Sequence, residues 1–103
     1  MYKKKKQLLE AKGWKVGTVD EFLGLNDEEI AYIELKLALS KKIRELRLEK
    51  NLTQVETAKL LGSSQSRVAK MESGDPSVSI DLQIRSLLAL GASMEELAQV
   101  ISP

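Results

Sequence analysis

Residues 52–74 read LTQVETAKLLGSSQSRVAKMESG, and the fold turns on this stretch. Thr53 with Glu56 three residues later forms a capping box, in which the hydroxyl accepts from the amide of position 56 and the carboxylate from the amide of position 53. A helix therefore begins after Thr53. Ala58, Leu60 and Leu61 give it an apolar side, and Ala58 is small enough for another helix to cross closely. Gly62 supplies the left-handed residue that ends it. Ser64 is placed to cap a second helix, residues 65–72. Val68 and Met71 are spaced to face inward, which leaves Gln65, Ser66, Arg67, Ala69 and Lys70 outward. The stretch predicts two short helices joined by a tight turn, the second with an outer face of amide, hydroxyl and cation.

The flanks extend the same helical reading. Upstream, Asn26 with Glu29 makes another cap, Asp27, Glu28 and Glu29 complement a helix dipole, and nothing breaks the run until Lys50 and Asn51. One helix of about six turns is expected. Its stripe Leu35, Leu39, Ile43 and Leu46 should bury against the motif, whereas Ile30, Ile33 and Leu37 mark an N-terminal half reaching beyond it. Downstream, Asp75 and Pro76 break the chain, Ser79 starts a fourth helix that Gly91 stops, and Ser93 with Glu96 caps a fifth ending at Ile101. Leu97, Val100 and Ile101 either fill the core or form a two-fold dimer contact.

At 103 residues and 43% hydrophobic content the chain has room for one small core. Residues 1–25 read as an N-terminal extension, a basic tail plus an apolar cover from Trp14, Val16, Val19, Phe22, Leu23 and Leu25; residues 26–103 read as the helical domain, with the motif at 53–73. The composition has no cysteine and no histidine, which removes disulfides, zinc sites of the Cys/His type and the usual partners of a nucleophilic triad. No enzyme activity, metal or cofactor is expected, and the helix start accounts for the acidic trio at 27–29. No stretch approaches the about 20 apolar residues of a membrane span, so a cytoplasmic location is expected. The formal net charge is only +1, yet the charge is sorted: six lysines between positions 3 and 15, an acidic block from Asp20 to Glu34, then Lys36, Lys41, Lys42, Arg44, Arg47 and Lys50 leading into the motif. A basic stretch adjoins the polar helix.

A Gln amide can pair bidentately with adenine, Arg or Lys with guanine, and Ser with several base edges or with phosphate, so the outer face of the second helix suits a duplex groove as well as plain solvent. The combination of residues carries a resemblance. Leu52-Thr53-Gln54, Ala58, Leu61-Gly62, Ser64, Val68 and the Glu72-x-Gly74 ending match the lambda-repressor-like, or XRE, helix-turn-helix family, and the likeness extends through roughly the last two thirds of the chain. It implies an all-α, five-helix DNA-binding domain, here with an elongated first helix. It also implies base or base-adjacent contacts from Gln54, Gln65, Ser66 and Lys70, and an ion pair between Arg47 and Glu72. Thr53, Ser64, Arg67, Ser73 and Arg44 occupy positions suited to phosphate contacts, which fix register without reading sequence. Thr57 and Ser63 depart from the family, which often carries Leu and Val there, and Asp75 puts a carboxylate where basic residues often approach DNA.

The partner implied is double-stranded DNA, bound by a homodimer whose reading helices lie about 34 Å apart on a palindrome. The function expected is a sequence-specific regulator repressing its own operon. A narrower resemblance rests on Gly13-Trp14-Lys15-Val16-Gly17, Phe22-Leu23-Gly24-Leu25, the acidic helix start and residues 64–72. These look like HigA-type antitoxins, which implies as the alternative a chain that neutralises a RelE- or HigB-like ribonuclease toxin.

Overall fold

A computed structural model describes residues 26–102. Among them the chain forms five α-helices and no strand: α1 (Asp27–Glu49), α2 (Gln54–Leu61), α3 (Gln65–Ser73), α4 (Ile80–Ala89) and α5 (Met94–Ile101). This is the all-α, lambda-repressor-like arrangement that the sequence predicts, with each of the last four helices capped by the residue expected. Thr53 and Ser93 each make a complete capping box, while Ser64 and Ser79 each accept one first-turn amide. No helix of the described residues is long and apolar enough to cross a membrane.

Packing divides the chain between Glu34 and Leu35, inside α1. In the first unit, the Asn26 side chain accepts from the Glu29 amide at 2.8 Å and the acidic trio occupies the opening turn. Ile30 is buried there, whereas Tyr32 and Ile33 are exposed. The lysine run and the apolar cover at 14–25 lie outside the described residues.

The second unit is built around α1. Leu39, Ile43 and Leu46 are buried along one stripe, joined by Ala58 of α2, Val68 and Met71 of α3, Leu87 of α4 and Leu97 of α5. Each large aliphatic group so buried contributes about 1.5–3 kcal/mol. Gln83 of α4 supplies a polar tie, its amide donating to the Ser40 hydroxyl at 2.8 Å and to the Lys36 carbonyl at 3.0 Å. Glycine ends two of the helices in the left-handed conformation. Gly62 ends α2 at φ 63°, and Gly74 ends α3 at φ 76° with its backbone so close to α1 that an added Cβ would stand 2.7 Å from a Leu37 methyl.

One expectation is corrected. Leu60 is not part of the inward face of α2 but 55% exposed, and the buried positions are Thr57 and Ala58 with Leu61 partly covered. At about 100° per residue, a helix with 57, 58 and 61 inward turns 60 well away from the core. In α5, Leu97 is core, Val100 packs against the core edge and Ile101 is exposed, so the core-filling alternative describes the first two.

Candidate nucleic-acid interface

Helix α3 is pinned from beneath and polar above. Val68 and Met71 have no exposed surface, so rotation of the helix about its axis is opposed by the core, and Gln65, Ser66, Arg67 and Lys70 stand exposed on the other side. At its N-terminus the Ser64 hydroxyl accepts the Arg67 amide at 3.2 Å. The glycine turn at Gly62 brings the first residue of α2 beside the first residue of α3. As a result the Gln65 amide nitrogen donates to the Gln54 carbonyl oxygen at 2.7 Å.

That pair continues inward. The Gln54 amide nitrogen lies 3.5 Å from Glu72 Oε1, and Glu72 is held by Arg47 of α1 through Nε to Oε2 at 2.6 Å and Nη2 to Oε1 at 2.9 Å. The remaining guanidinium nitrogen, Nη1, donates to the Leu52 carbonyl at 2.9 Å. The side chains of Arg47 and Glu72 are only 13% and 6% exposed. The hydrogen bond it donates to Glu72 holds the Arg47 guanidinium even more firmly protonated than usual. The ion pair implied by the resemblance is therefore present, bidentate and shielded, which is the geometry in which such bonds are strongest.

Beside the exposed face of α3 runs a groove of about 580 Å³ lined by Ser63, Ser64, Ser66, Arg67, Lys70 and Ser77, with Val78 and Leu82 at its apolar wall. Hydroxyls with two cations and no carboxylate suit an anionic backbone. Four residues expected from the sequence converge here: Ser64, Ser66, Arg67 and Lys70. Thr53, Arg44 and Ser73 do not line it. The Thr53 hydroxyl and amide are both engaged by Glu56 in the capping box, Arg44 is exposed on α1, and the Ser73 hydroxyl donates to the Lys70 carbonyl at the far end of α3.

Ser77 is not among the residues that the sequence points to as DNA contacts. Its signal lies in the Asp75-Pro76-Ser77 turn, where the Asp75 carboxylate accepts the Ser77 amide at 2.8 Å, the local bonding Asp favours in turns. The Ser77 hydroxyl first, then its amide, holds the Asp75 carboxyl below the ordinary range. The acidic residue beside the motif thus shapes the loop that carries Ser77.

Fold and exposed helix together define a helix-turn-helix DNA-binding domain. A family model for the helix-turn-helix matches residues 43–97, from the last two turns of α1 to the first turn of α5, and this is more than half of the chain. The chain belongs to the XRE-like helix-turn-helix family. No curated protein and no solved structure matches it.

Proposed function

We infer that the chain is a sequence-specific transcriptional regulator that binds duplex DNA as a homodimer and represses its own operon. One observation supports this above the others: α3 presents Gln65, Ser66, Arg67 and Lys70 exposed away from its buried side, with the first of them hydrogen-bonded to a second amide, Gln54. Gln65 and Ser66 read base edges, with Lys70 beside them. Ser64 and Arg67 hold phosphates from the groove, and Thr53, Arg44 and Ser73, outside it, are the further candidates for phosphate contact. The small reach of one reading helix argues for dimerisation, and Met94 and Ile101 of α5 are among the exposed apolar groups that could serve it. The test is a fluorescence-anisotropy titration against DNA from upstream of the gene and a scrambled duplex at two salt concentrations. A preference of about a thousandfold or more supports a specific regulator. Equal weak binding that vanishes at the higher salt refutes it.

A second reading, an antitoxin for a RelE- or HigB-like toxin, is favoured by the exposed Ile33 on the first unit of the chain. Co-expression with the neighbouring gene's product, followed by pull-down, decides it: nothing of RelE size retained sinks the idea.

A further inference from the structure

A second cleft, of about 320 Å³, lies where the end of α2, the turn after it, α3 and α4 meet, and its volume is at the small end of ligand sites. Leu61, Met71, Leu82 and Ala89 give it an apolar lining. Its polar side chains are donors, and none of the lining residues is acidic. The guanidiniums of Arg67 and Arg85 line it beside two hydroxyls short of partners. Ser86, 4% exposed, donates only to the Met71 thioether at 3.3 Å, which is a weak acceptor. The Ser63 hydroxyl is buried without a hydrogen bond. Arg85 pairs with Asp81 at 3.1 Å, but the two side chains are 77% and 74% exposed, and so open an ion pair exchanges its partners readily. Two cations and two hydroxyls call for an acceptor-only anion, and the aliphatic walls call for a hydrocarbon body. Inorganic phosphate meets the first demand alone. A carboxylate carried on an apolar ring or chain meets both.

We propose that this cleft binds a small apolar carboxylate, and that the ligand draws Arg67 away from the neighbouring groove and so weakens DNA binding. Ser63, Arg67 and Leu82 line both spaces. One exposed guanidinium therefore stands between two anions, a phosphate in the groove and a carboxylate in the cleft, and holding the second loosens the first. By linkage, duplex DNA weakens the ligand by the same factor. The effect on DNA rests on the DNA-binding reading; the cleft does not.

The experiment uses the full chain with sodium benzoate as the probe and sodium acetate, at equal concentration, as the control for charge and ionic strength. In the free protein, NMR signals of the cleft residues and the Arg67 and Arg85 side chains should shift saturably, with half-saturation at about 1 mM benzoate or below. Acetate lacks the hydrocarbon body and should require about tenfold more. Arg85→Gln removes a cation and Ala89→Phe fills the cleft; each should weaken benzoate by about fivefold or more. Both positions are exposed, so neither change disturbs the core. No saturable shift up to about 10 mM overturns the proposal. An equal response to acetate means an ordinary ion effect at exposed arginines and overturns it too. Shifts of the same signals on dilution of the protein alone, with none from benzoate, would give the cleft to a second copy of the chain.

The second arm measures anisotropy on a duplex enriched by the protein from a random-sequence pool. Saturating benzoate should lower affinity about fivefold relative to equal acetate, the order of one phosphate contact near ~0.15 M salt. In Arg85→Gln, at the same benzoate concentration, that ratio should shrink to about twofold or less. Benzoate binding with DNA affinity unchanged overturns the link through Arg67. Benzoate binding in a chain that enriches no duplex overturns the DNA-binding reading, while the cleft stands.

Discussion

Gln65 and Arg67 both stand exposed on α3, yet they suit different parts of a duplex. Gln65 is oriented by an amide partner and is suited to base edges, while Arg67 lines the serine-rich groove and is suited to phosphate. Gln65→Ala should therefore cost about 1–3 kcal/mol on the preferred duplex and little on a scrambled one. Arg67→Ala should weaken binding to both and reduce the slope of log affinity against log salt by about one. Identical specificity profiles for the two variants, measured by anisotropy across salt, would contradict that division. Thr57 raises a stability question at the same scale. It is wholly buried in the place where the family often carries Leu, and its hydroxyl has no partner. A buried hydroxyl without a hydrogen bond costs about 1–3 kcal/mol, so Thr57→Val should raise stability by about 1 kcal/mol in urea unfolding, and a loss of stability would show that the hydroxyl is satisfied in solution.

Among elements, the joint that matters is between α1 and α3. Arg47 and Glu72 are 25 positions apart in sequence, and they tie the end of the long helix to the reading helix and to the Leu52 carbonyl at once. Removing Glu72 strands a shielded guanidinium, and Glu72→Ala should cost about 3–5 kcal/mol of unfolding free energy. A drop below about 1 kcal/mol would class the pair with ordinary surface ion pairs. This scale also shows what a sequence can and cannot reveal. The caps at Thr53, Ser64, Ser79 and Ser93 are local chemistry, settled within four residues, and all are legible. The ion pair is legible through resemblance alone, since no local rule links 47 to 72. Leu60 misleads because an apolar residue near a stripe reads as part of it, when the neighbours Thr57, Ala58 and Leu61 fix which way α2 turns. Ser77 escapes because its place at the groove depends on how the loop after α3 folds back, which is tertiary information.

For the molecule as a whole, pH offers a test of how far the caps hold the fold. The Thr53 amide holds the Glu56 carboxyl below its ordinary value, the Ser93 amide does the same for Glu96 with help from Lys42, and Ser77 does so for Asp75. In each case the unfolded chain binds protons more readily than the folded one, so stability must fall as pH falls. The contribution is complete above the unfolded values of about 4 and disappears as the pH passes down through the lower, folded values. Above that window nothing comparable happens. The chain has no histidine and no cysteine, and no other side chain ordinarily titrates between about pH 5 and 8. Melting temperature followed by circular dichroism should accordingly be flat from about pH 5 to 8 and drop steeply below about pH 4. Glu56→Gln with Glu96→Gln keeps a capping side chain that cannot titrate, and this pair of changes should make the acid branch shallower while leaving the plateau level. An acid branch equally steep in the double variant would mean that carboxylates other than these two capping groups govern acid unfolding.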